Sequence, residues 1–141
     1  MYAPTRDEAR QFLVDAWGKY RGAQALTPLE QIAVTVIARH PEYHPVLEDA
    51  GRHLDRDYTP DEGATNPFLH LQLHLAVAEQ LSIDQPRGIR AHFERLRAAH
   101  DDEHAALHAI LDCLAETLWQ AQRNHAQPDE AVYRACLERA K

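Results

Sequence analysis

The chain has 141 residues, 45% of them hydrophobic and 26% charged, which is the length and composition of one ordinary folded domain and excludes a disordered chain. A formal net charge of −7 leaves no basic face to neutralise phosphates and argues against a nucleic-acid partner. No run approaches the ~18 consecutive apolar residues of a membrane span, so no membrane partner is expected.

Glycine is scarce, at 5 residues, while Ala, Leu, Glu, Gln and Arg are frequent, so helix propensity is high almost throughout. Thr5 with Glu8 forms a capping-box pattern, and Phe12, Leu13, Ala16, Trp17 and Tyr20 follow at helical spacing until Gly22. Thr27-Pro28-Leu29-Glu30 starts a second helix, with Leu29, Ile32, Ala33, Val36 and Ile37 as its inward stripe. That helix should stop near Arg39, because Pro41 pushes His40 out of the α region.

Residues 41–49 suit a short helix, and residues 51–65 read as a surface connection whose acidic part, Asp55 to Gly63, stays solvated. Asn66-Pro67 opens a third main helix to about Leu81, and Ser82 to Gly88 is a turn. A fourth helix spans Ile89 to Ala99, with Arg87, Arg90, Arg95 and Arg97 forming a solvated basic face. After a break near His100 or Asp101 comes a long fifth helix to about Asn124, and Pro128-Asp129-Glu130 starts a short last one. With no strand pattern of useful length, the expected fold is all-α: a single domain over 1–141, an up-and-down bundle of about five main helices plus a short C-terminal helix.

The N-terminal stretch lacks the apolar core of a signal peptide. Cys113 and Cys136 are too few for a disulfide framework and read as small core residues in a reducing compartment. A cytoplasmic protein is expected.

The chemistry-bearing feature is a set of histidines where leucine would ordinarily sit. His70 and His74 lie four residues apart on the third helix, and His104 and His108 repeat the spacing on the fifth. Residues four apart share a helix face, and both pairs align with leucines rather than with polar residues. Alternate helices of an up-and-down bundle run parallel, so both pairs begin at one end, where His40 and His44 also arrive from the end of the second helix. His100 should reach that end too.

A buried imidazole needs a partner, and several close together most economically share a metal ion. His70, His74, His104 and His108 are the leading ligands, His40 and His44 further ones, and Glu42 and Asp112 the weaker carboxylate candidates. Imidazole with carboxylate suits zinc, iron or manganese. The paired Glu-x-x-His pattern of carboxylate-bridged di-iron bundles is absent.

At these residues the chain resembles a family of small bacterial helical proteins of unknown function, domain of unknown function family 1841. The resemblance covers nearly the whole chain. It is carried by His40-Pro41-Glu42-Tyr43-His44, by Asp55-Arg56-Asp57-Tyr58, and by Asn66-Pro67-Phe68-Leu69-His70 with His74, Glu79 and Gln80. It continues in Asp102-Glu103-His104, in His108 and in Leu118-Trp119-Gln120-Ala121-Gln122-Arg123. The resemblance implies no activity, so function rests on the residues.

Two functions stay open. One is a metal-binding bundle with a histidine-rich site at one end, working as a metal-dependent hydrolase or an oxygen-handling protein on a small molecule. The other is a non-enzymatic adaptor or subunit that binds a partner protein or another copy of itself, with structural or pH-responsive histidines.

Overall fold

The structure is a computed structural model that describes residues 6–49 and 66–141. The Thr5 cap and the expected surface connection of residues 51–65 lie outside the described residues. All regular structure among the described residues is helical, and the fold class is all-α. The helices are α1 (Arg6–Arg21), α2 (Pro28–Ala38), a 3-10 turn (Pro41–Tyr43), α3 (His44–Glu48), α4 (Pro67–Ile83), α5 (Ile89–His100), α6 (Glu103–Arg123) and α7 (Glu130–Arg139). Their contacts group into two compact units, Met1–Leu75 and Ala76–Lys141, so residues 67–75 of α4 belong to the first and residues 76–83 to the second.

In the first unit α1 packs on α2 and on α3. Leu13, Ala16 and Trp17 on α1, and Ala33, Val36 and Ile37 on α2, are buried at helical spacing, as their sequence stripes require. Thr27 and Glu30 close a capping box: the Glu30 amide donates to Thr27 Oγ1 at 3.2 Å, and the Thr27 amide donates to Glu30 Oε1 at 2.8 Å. Glu30 also receives Lys19 Nζ at 2.8 Å, which ties α1 to the start of α2. The Lys19 ammonium and the Thr27 amide hold the Glu30 carboxyl below its ordinary value. The buried Arg10 guanidinium lies over the buried Phe68 ring, 4.7 Å from its centroid, and so bridges α1 to the first turn of α4.

On α4 the most buried residues are Phe68, Leu71, His74 and Val77, each three positions after the last. The inward row is therefore rotated from the one the His70–His74–Val77 alignment suggests. His74 stands in the middle of it, and His70 flanks it, half-buried.

In the second unit α5, α6 and α7 pack on one another around Ile89, Leu96, Ile110, Leu114 and Leu137. Tyr133 Oη of α7 donates to Gln80 Oε1 at 2.6 Å, which fastens α7 to the last turns of α4. Burial pushes the Tyr133 phenol well above its ordinary range, so it stays a donor. At the turn before α5, Asp84 Oδ1 accepts the Gly88 and Arg90 amides at 3.2 and 3.1 Å, and Gly88 takes a φ of +97° that glycine tolerates without strain.

Two expectations change here. Cys113 and Cys136 form a disulfide with Cα atoms 5.6 Å apart, because α7 folds back against α6 and brings together residues 23 positions apart. The pair thus gives no support to a reducing compartment. The basic face of α5 is also more than solvated charge. Arg90 donates to the Leu81 and Ser82 carbonyls at the end of α4, and Arg95 to the Leu137 and Ala140 carbonyls at the end of α7. These arginines supply donors to helix-terminal acceptors that have no intrahelical partner.

Closing a loop of this length by a disulfide restricts the unfolded chain by about 3 kcal/mol. Urea unfolding with and without a thiol-free reductant should show that loss, and Cys136→Ser should reproduce it without reductant. For Glu30, whose folded value is lowered, the stabilisation is present above its unfolded value near about 4.3 and is lost as pH falls through the folded one. Wild-type protein should therefore melt higher than Glu30→Gln at about pH 7, and the difference should shrink as pH falls through the folded value.

Candidate metal centre

α2 ends at Ala38 because Pro41 follows, and the 3-10 turn then carries the chain from His40 to His44. The two histidines at this corner use the carbonyls that the helix end exposes. The His40 ring places Nδ1 2.9 Å from the Val36 carbonyl, and the His44 ring places Nε2 2.8 Å from the Ile37 carbonyl. Only a protonated ring nitrogen can donate to a carbonyl, so His40 carries its proton on Nδ1 and a neutral ring presents its lone pair at Nε2. A second hydrogen bond of this kind is what orients a metal-ligating histidine.

His40 is 3% and His74 4% exposed, with His70 half-buried beside them. Ring centroids lie 4.5 Å apart for His40–His74, 4.7 Å for His70–His74 and 5.1 Å for His40–His70. A ligand nitrogen from each ring lies within 4.8 Å of the others. Nitrogens bound to one tetrahedral zinc sit about 3.3 Å apart, given a Zn–N bond near 2.05 Å. The Tyr43 ring walls the group, stacked on His40 at 5.7 Å and edge-on to His70 at 5.8 Å. Burial first, then the Glu42 charge, raises the Tyr43 phenol above its ordinary value, so it keeps its proton.

Not every expected ligand joins the group. His44 is spent on the Ile37 carbonyl and packs its other surface on Trp17, with centroids 4.4 Å apart. Glu42 is exposed on the 3-10 turn. In the second unit, His104 and His108 pair ring to ring at 4.2 Å, as their spacing requires, but His104 is exposed rather than inward. It sits in the first turn of α6, where Asp102 Oδ1 caps its amide at 3.0 Å. His108, one turn on, is half-buried, and Asp112 is exposed. His100 turns to the chain end instead, Nε2 lying 2.7 Å from the Lys141 carbonyl.

Sequence reasoning ranked His40 below His104, and the structure buries His40 while leaving His104 exposed. The signal was available in Pro41, which breaks the helix and leaves carbonyls to orient the ring. The Trp17–His44 contact had no local signal, since it joins residues on different helices.

The chain belongs to the family described as a domain of unknown function (DUF1841), whose profile spans residues 5–139. No curated protein and no solved structure matches it.

Replacing His44 by alanine removes a part-buried hydrogen bond and its packing on Trp17. His44→Ala should lower unfolding free energy by about 1–2 kcal/mol, read from chemical denaturation. Unchanged stability would show that neither contact holds the corner.

Proposed function

We propose, for a family whose description assigns no activity, that this chain is a metal-binding protein. In this reading His40, His70 and His74 hold one transition-metal ion. The observation that carries the reading is the convergence of three imidazoles from two separate segments, two of them buried, with one ring already oriented through its second nitrogen.

The donors narrow the ion. With Glu42 and Asp112 exposed, the set among the described residues is imidazole, which suits zinc, iron, copper or nickel better than oxygen-seeking manganese. Three imidazoles leave a four-coordinate ion one further position. Water or dioxygen bound there would be polarised, which is the chemistry of a metal-dependent hydrolase or an oxygen-handling protein.

Elemental analysis of the purified protein should find one transition-metal ion per chain. His70→Ala and His74→Ala should lose it, and His44→Ala should retain it. A ligand present at 100 times its dissociation constant stabilises the folded state by about 2.7 kcal/mol, so a chelator should lower the melting temperature of wild type and leave His74→Ala unmoved. Metal-free protein whose melting ignores both metal and chelator would favour the adaptor reading, with structural histidines.

A further inference from the structure

We propose that the Cys113–Cys136 disulfide is a redox-operated latch: a dithiol opens it in the folded protein, and α7 then leaves α5 and α6. The inference concerns the second unit alone and stands apart from the metal-binding reading. The bond joins the middle of α6 to the last turns of α7. Within the described residues α7 is therefore tied to α6 twice along the covalent chain, by the connection 124–129 and by this bond.

The two sulfurs are unequally covered. Cys113 is 3% exposed and Cys136 is half-buried, so Cys136 is the side from which a thiolate can approach without unfolding. Attack there forms a mixed disulfide with Cys136, and Cys113 leaves as a thiolate that takes up a proton. The second thiolate of the dithiol then attacks its own mixed sulfur and releases Cys136. Two electrons pass from the dithiol, which becomes a cyclic disulfide, to the cysteine pair.

What remains once the bond is open holds α7 weakly. The helix has ten residues, and isolated helices shorter than about 12–15 residues are marginal in water. It buries only Tyr133 and Leu137, where α6 buries a row from Ala106 to Ala121. Its polar contacts are the Tyr133–Gln80 hydrogen bond and the Arg95 and Arg134 guanidinium groups on the Leu137, Ala140 and Arg87 carbonyls. Water replaces such contacts when a helix lifts, so each contributes modestly. The intact bond works differently, because it withholds the chain entropy that residues 124–139 would gain on leaving. The lifted state exposes Tyr133 and Leu137 and uncovers the apolar side chains of α5 and α6 that pack with them.

The test follows hydrogen–deuterium exchange of the full chain in native buffer, before and after dithiothreitol, with free thiols counted by alkylation and mass measurement at each stage. No thiol should be labelled before reduction and two after it. Amides of residues 131–139 should then exchange at least about tenfold faster, while those of α5 and residues 103–112 change little. Oxidised glutathione should restore slow exchange, and Cys136→Ser should show the fast exchange without any thiol present. Two thiols counted with exchange of residues 131–139 unchanged would overturn the proposal, leaving the bond a plain staple. Equal acceleration through α5 and α6 would overturn it too, since the whole unit rather than one helix would then be loosening. So would thiols labelled before reduction, or a bond that dithiothreitol opens only in denaturant.

Discussion

The end of α2 organises everything that could make this protein a metal-binding one. Three residues after Ala38 stands Pro41, and the helix cannot continue through it. The last carbonyls of a helix then have no intrahelical donors and carry the negative end of its dipole. Here Val36 and Ile37 receive not only backbone amides but also ring nitrogens, one from His40 and one from His44. A broken helix has become a device that orients two imidazoles. One ring is turned toward α4 and its histidines, the other is packed down on Trp17. The same kind of interaction produces opposite roles because the two rings leave the corner in different directions.

Elsewhere the chain solves the same helix-end problem with arginine. Arg90 and Arg95 of α5 reach the terminal carbonyls of α4 and α7, and Asp102 and Asp129 cap the amides that open α6 and α7. Short helices such as α7 gain little from propensity alone and depend on tertiary fastening. The disulfide to Cys113 and the Tyr133–Gln80 hydrogen bond supply that fastening along α7, and the arginine cap holds its end. Through Gln80 the fastening bears on the later turns of the helix whose first turns present His70 and His74.

The helices were legible because their punctuation is local. Thr27-Pro28 with Glu30, Pro41 and Asn66-Pro67 each act within one turn, and the observed ends fall within a residue or two of those signals. The spacing of His70 and His74 was equally legible, since it is a property of one helix. What escaped depends on how helices meet. The inward row of α4 is centred on Leu71 and His74, a rotation that Leu69, Leu73 and Leu75 disguise by surrounding the row with further apolar residues. The His104 side chain is exposed although its spacing from His108 is regular, which no wheel records. Cys113 and Cys136 look isolated in a list of residues and meet only because α7 returns along α6.

The position of His74 bears on why such a site would exist at all. Phe68, Leu71 and Val77 show what that row of α4 is built to accept, and a leucine in the fourth place would bury more apolar surface with no polar atom to satisfy. An imidazole takes that place, and His40, 3% exposed, is buried beside it. Two such residues side by side are an improbable way to strengthen a core. They become economical once a shared ligand binds the folded arrangement and not the unfolded chain, because its binding free energy then adds to folding. Were an ion held there, one choice of residue would set both stability and reactivity: imidazole in place of leucine would offset its burial cost through the ion, and the ion would polarise whatever bound beside it.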